Sequence, residues 1–167
     1  PYFQKRCRNT DKILKAMYVA AGIGQIIATR SSISGAAGGC QAEIGSASSM
    51  AAGALTYLQG GNCEQIATAA AMAMKNLLGL VCDPVAGLVE VPCVKRNVIG
   101  TVNAMACADM AMAGIVSRIP PDQVMDAMKE VGDKMDASLR ETALGGLART
   151  EEGVKIAEKM HVSQENW

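Results

Sequence analysis

A chain of 167 residues, 50% apolar but only 3% aromatic, can fill the core of one domain with small and flexible side chains rather than rings. Sixteen basic and sixteen acidic residues cancel, so no positive excess favours a phosphate backbone, and nucleic acid is excluded as the expected partner. The longest uncharged run, 44–63, is diluted by Ser, Gly, Gln and Asn, so no membrane span is expected either.

Residues 1–9 read as the end of a linker, and a chain that begins with Pro1 is expected to be a fragment or a processed subunit. Asn9-Thr10 can cap a first helix to about Thr29, with Ile13, Leu14, Met17 and Ala21 at helical spacing and Tyr18 and Ile26 widening its apolar face. The decapeptide R-S-S-I-S-G-A-A-G-G (30–39) is a loop that either presents backbone N–H groups to an anion or serves as a plain connector.

Cys40 opens the next helix, which runs to about Gln59 with Gln41, Glu43 and Ser46 in its first turns. A cysteine there meets the positive end of the helix dipole, which favours the thiolate. Asn62 caps a helix over 63–80 that is apolar nearly all round and therefore central; its Met72 and Met74 read as packing filler. The stretch V-C-D-P-V-A-G-L-V-E-V-P-C-V-K-R-N (81–97) lacks helical periodicity, and Pro84, Gly87 and Pro92 make it a loop.

A second central helix spans 98–116, with Asp109 as its only charge and Cys107 as a small buried residue. Such a carboxylate needs a partner or a boundary position, and we read it as a structural anchor. Pro121 starts a surface helix with Val124, Met128, Val131 and Met135 inward. A last helix runs from Thr150 to about Met160, and 161–167 is a polar tail in which His161 is solvated. The expected fold is all-α: one domain over 10–160, about six helices around two apolar central ones, with loops 30–39 and 81–97 at a common end.

Six cysteines invite a disulfide reading, but no signal peptide is expected and Cys63 and Cys107 fall in helical patterns. A reduced, cytoplasmic chain is expected. Cys40, Cys82 and Cys93 rise from glycine- and proline-rich stretches. Three thiolates without a C-x-x-C pair make a poor structural zinc site. A 4Fe–4S cluster on three thiolates would keep one iron open as a Lewis acid. Spacing alone leaves both cluster binding and three inert cysteines standing.

S-I-S-G-A-A-G-G-C-Q-A-E-I-G-S-A-S-S-M-A-A-G (32–53) and C-D-P-V-A-G-L-V-E-V-P-C-V-K-R-N (82–97) resemble the alpha chain, or alpha domain, of bacterial iron–sulfur-dependent L-serine dehydratase. The resemblance implies a lyase that converts L-serine through aminoacrylate to pyruvate and ammonia, with no net electron transfer. It implies a 4Fe–4S cluster on Cys40, Cys82 and Cys93. It also implies a beta chain, or N-terminal beta domain, whose S-H-T segment completes the site, so this chain alone is expected to be inactive; an oligomer is expected as well. Some members end in a cysteine that folds onto the fourth iron, whereas this sequence ends Gln164-Glu165-Asn166-Trp167.

Around these ligands, Ser32, Ser34, Gly35, Arg96 and Asn97 are candidates for binding substrate, Arg96 and Lys95 alternatively for offsetting cluster charge. The base is expected to come from the partner domain; within this chain Ser34, Glu43 and Lys95 are the candidates, although capping or turn bonding suits Glu43, Asp83 and Glu90 better than general-base work. A pyridoxal-phosphate mechanism has little support, because Lys75 in A-M-K-N lacks the S-x-K-x-R setting. The competing class is a non-enzymatic helical iron–sulfur carrier or electron-transfer module.

Overall fold

Asn9 caps the first helix as its side chain accepts from the Lys12 backbone N–H at 3.1 Å, and α1 then runs Thr10–Arg30. The structure, a computed structural model, describes residues 9–160; the linker reading of 1–8 and the tail 161–167 with His161 lie outside them. The remaining helices are α2 (Gly35–Gly38), α3 (Ser46–Gln59), α4 (Cys63–Lys75), α5 (Cys93–Met112), α6 (Pro121–Lys134) and α7 (Glu151–Lys159). A π turn, Gln41–Gly45, leads into α3, and 3-10 turns cover Val85–Gly87, Ala137–Leu139 and Gly146–Arg149. The described residues are all-α, as expected, and α2 is a short helix inside the loop expected over 30–39.

Packing follows from small side chains. Helix α3 lies against α1, α4 and α5. Its buried Ser48, Ser49 and Thr56 hydroxyls donate to Gly100 O, Ala70 O and Ala52 O at 2.7, 2.9 and 2.8 Å, while the buried Ser46 Oγ at its start has no hydrogen-bond partner. Helix α4 is central, as its all-round apolar pattern predicts. Its Ala69, Met72 and Ala73 join Ala52, Ala104, Cys107 and Ala111 in one core, and its Ala71 and Met74 join Ile27, Val124, Met125 and Met128 in another. The Asn62–Gln65 capping box starts α4, and it stops at Lys75, short of the expected Leu80.

Two faces differ from the sequence reading. On α1 the buried residues are Ala16, Ala20 and Ile27, while Leu14, Met17, Tyr18 and Ile26 are exposed. On α5, Ala104, Cys107, Ala108 and Ala111 are buried while Val94, Val98, Val102 and Met105 form an exposed stripe. Apolar residues on both sides of a helix cannot all face one neighbour, and the small ones take the contact because they let the backbones approach. Asp109 is exposed and accepts from Gln59 Nε2 at 3.0 Å, the anchor role expected of it.

Candidate metal centre

Two backbone features set Cys40 in place. Gly39 adopts a left-handed φ of 76°, and a Cβ there would lie 2.6 Å from Met135 Sδ and 2.9 Å from Leu80 O. That turn lets segment 80–82 lie against Cys40, with the Gln41 N–H donating to Leu80 O at 2.9 Å. Gly39→Ala combines a disfavoured φ with a backbone clash and is expected to cost about 2–4 kcal/mol, read as a lowered thermal midpoint. The Gln41 side chain, 1% exposed, then ties three segments together: Nε2 donates to Met128 O at 3.0 Å and Oε1 accepts from Gly79 N at 2.9 Å.

Cys82 sits in extended backbone. Its N–H donates to Leu139 O and its carbonyl accepts from Glu141 N, both at 2.8 Å, which locks it beside segment 139–141. The chain then turns through Val85–Gly87, and Val85 N donates to Val91 O at 2.9 Å, bringing the loop back on itself. Helix α5 begins at Cys93, five residues before the expected start at Val98, because Pro92 stands at its N-cap, where a missing N–H costs nothing. Cys93, Arg96 and Asn97 are therefore helical rather than loop residues.

The three thiols are free and buried, with exposures of 1% at Cys40, 3% at Cys82 and 5% at Cys93. The sulfurs of Cys40 and Cys82 and the carboxylate of Glu43 all lie within 4.8 Å of one another, a group able to hold a metal ion. Cys93 is outside that trio. Burial raises its thiol pKa, and negative charge on Cys40 raises it further. The Cys82 thiol donates to Cys40 and so favours the thiolate at Cys40, with Arg96 adding to the effect, while the same bond and burial push Cys82 up. Desolvation raises the Glu43 pKa, opposed by a hydrogen bond from the Gly35 N–H.

Arg96 Nη1 donates to Asp83 Oδ1 at 2.7 Å and to Val81 O at 2.9 Å and stands 4.0 Å from Cys40 Sγ. Asp83, 3% exposed, also accepts from Leu147 N at 2.7 Å through Oδ2. Two soft sulfur donors and a carboxylate within 4.8 Å of one another, with a cation beside one of the sulfurs, suit a metal group held by thiolates.

The other predicted residues scatter around this core. Gly35 is buried and meets the Glu43 carboxylate. Ser32 Oγ accepts from Ser34 N at 3.1 Å, and Ser34 precedes α2 without a side-chain cap bond. Asn97 Nδ2 bonds back to Cys93 O at 3.0 Å, and Lys95 is exposed. The sequence reading missed Gln41 as a clamp and the whole of 139–147 as a wall of the site; Gly145-Gly146 was visible, but no spacing rule connects it to Cys82.

Residues 2–148 match the family model described as serine dehydratase alpha chain. The chain belongs to the serine dehydratase alpha chain family. The chain is 57% identical over 150 residues to a protein of Bacillus subtilis named as a probable L-serine dehydratase, alpha chain, covering 90% of this chain and 50% of that one. It is 52% identical over 144 residues to the L-serine dehydratase alpha chain of Peptoniphilus asaccharolyticus, covering 86% and 49%. Against an L-serine dehydratase of Streptomyces coelicolor it is 48% identical over 139 residues, 83% of this chain but 30% of the relative. This serine dehydratase alpha chain family member thus spans about half, or less, of the length of those relatives. No helix among its described residues is long and apolar enough to cross a membrane.

Proposed function

We propose that this chain is the cluster-bearing part of an L-serine dehydratase, holding a 4Fe–4S cluster on Cys40, Cys82 and Cys93 and converting L-serine to pyruvate and ammonia. The observation that carries the reading is the meeting of buried free thiols from segments 40 and 82 positions along the chain, beside a guanidinium that favours the thiolate form. Once bound on Cys40, Cys82 and Cys93, the cluster would supply Lewis-acid chemistry toward the serine hydroxyl. Such thiols fit a reducing cytoplasm.

The chain's own groups have separable tasks. The three thiolates fix the group, and burial keeps water from it. Glu43 is the base candidate best placed, since its carboxylate lies within 4.8 Å of two of the sulfurs; Ser34 and Lys95 have no comparable geometry. Ser32, Ser34 and Gly35 stay offered for substrate hydrogen bonds. Arg96 serves as the cation that offsets negative charge at the sulfurs, because its Nη1 is already engaged by Asp83 and Val81 O. Asn97 is bonded into its own helix and supports Cys93. The balance is serine to aminoacrylate plus water, then aminoacrylate plus water to pyruvate plus ammonia.

A beta chain or beta domain is the proposed partner, and the exposed Val94–Val98–Val102–Met105 stripe, which begins beside Cys93, is apolar surface available to it. Anaerobic reconstitution followed by an iron and sulfide count tests the cofactor. Iron with equal sulfide supports the cluster, whereas metal without sulfide favours a single ion on Cys40, Cys82 and Glu43. L-serine is expected to perturb the cluster's spectrum, and an indifferent spectrum with reversible redox would favour an electron carrier instead. The 167-residue chain alone is expected not to turn over serine; measurable pyruvate formation by it would refute the need for a partner.

A further inference from the structure

We propose that the buried Asp83–Arg96 ion pair is a positioning device that braces all three cysteines and holds a positive charge against the sulfur of Cys40. The proposal deepens the metal-centre reading above and rests on it for the identity of the bound group.

The placement of the pair is the argument. Asp83 follows Cys82 directly, and Arg96 lies one helical turn beyond Cys93, so a single 2.7 Å contact ties the Cys82 segment to the start of α5. The same Nη1 reaches Val81 O at 2.9 Å and stands 4.0 Å from Cys40 Sγ, too long for a strong hydrogen bond but close for a charge in a sheltered setting. The second Asp83 oxygen takes the Leu147 N–H at 2.7 Å, fastening segment 146–147 to the same point. Gly146, at a left-handed φ of 58°, makes that approach feasible, since a Cβ there would fall 2.3 Å from Asp83 Oδ2.

Among the described residues this is the one ion pair with both side chains largely out of water, 16% exposed at Arg96 and 3% at Asp83. The Arg30–Asp126 pair, by contrast, is 37% and 55% exposed. A buried charge that loses its partner is strongly disfavoured, so neither member is expected to hold its place alone. With one oxygen of Asp83 on Arg96 and the other on the Leu147 N–H, that carboxylate is a strut between α5 and segment 146–147. Outer groups that orient metal ligands typically control affinity by ten- to a hundredfold.

The test uses the 167-residue chain as wild type, Asp83→Asn, Arg96→Gln and Arg96→Lys. Metal-free protein is titrated with Cd(II) and read from the thiolate charge-transfer band. Reconstituted protein is read for iron loss to a chelator and for reduction potential. The apo thermal midpoint controls for folding. Asp83→Asn and Arg96→Gln are expected to weaken Cd(II) binding and speed iron loss by about tenfold. The potential of Arg96→Gln is expected to shift to lower values, because a cation beside a ligating sulfur favours the reduced, more negative state. Arg96→Lys keeps a charge without the fork, so its potential should stay nearer wild type while iron is still lost faster.

Wild-type Cd(II) affinity in Asp83→Asn and Arg96→Gln, with a wild-type potential in Arg96→Gln, would overturn the brace, even if the thermal midpoint fell. A wild-type chain that binds Cd(II) tightly, with the variants weaker, but assembles no iron and sulfide would support the brace and overturn the cluster reading.

Discussion

Cys82→Ser is expected to cut the iron and sulfide retained after anaerobic reconstitution by tenfold or more. Serine offers a hard, poorly acidic oxygen where a soft thiolate is needed, and it removes the thiol that donates to Cys40. Cys107→Ser is the matched control. Cys107 is as buried as Cys82, but its sulfur is bound up with Asn103 Oδ1 at 3.6 Å and Asn76 Nδ2 at 3.5 Å, remote from Arg96 and Glu43. The control should keep its full iron content. Equal content in Cys82→Ser and wild type would remove Cys82 from the ligand set and return the three cysteines to inert burial.

Gln41→Leu should lower the thermal midpoint by about 5 °C. The substitution keeps the side chain's bulk but removes two hydrogen bonds, the one Gln41 gives to Met128 O at 3.0 Å and the one it accepts from Gly79 N at 2.9 Å. Each lost hydrogen bond costs about 0.5–1.5 kcal/mol net, and a kcal/mol moves the midpoint of a domain this size by about 2–4 °C. Because Gln41 adjoins Cys40, metal affinity should fall with stability. Calorimetry of the apo chain separates the two effects, and a midpoint within about 2 °C of wild type would show that the clamp is not needed.

How much of this was legible follows the range of the forces involved. Helix starts at Asn9, Asn62, Pro121 and Thr150 could be read because capping acts over three or four residues, and each is where the local pattern put it. The early start of α5 was missed because Pro84 and Pro92 look alike in sequence, yet one lies in a turn and the other at a helix N-cap. Burial on α1 and α5 was overstated because hydropathy marks every apolar residue, while contact is granted to only one side. The contacts of 139–147 with Cys82 and Asp83 had no readable signal, since those partners lie more than 50 positions apart, and no local rule pairs Asp83 with Arg96, 13 positions on.

What the amino-acid order determined alone is the all-α class, most helix limits and the residue types able to hold a soft metal, since these rest on local propensity, capping and donor chemistry. What only the tertiary structure decided is that Cys40 meets Cys82 and Glu43, that Arg96 is spent on Asp83 and Val81 rather than left free, and that Gln41 clamps the site. Those outcomes depend on which distant backbones can approach one another, and close packing settles that only once the whole chain is folded.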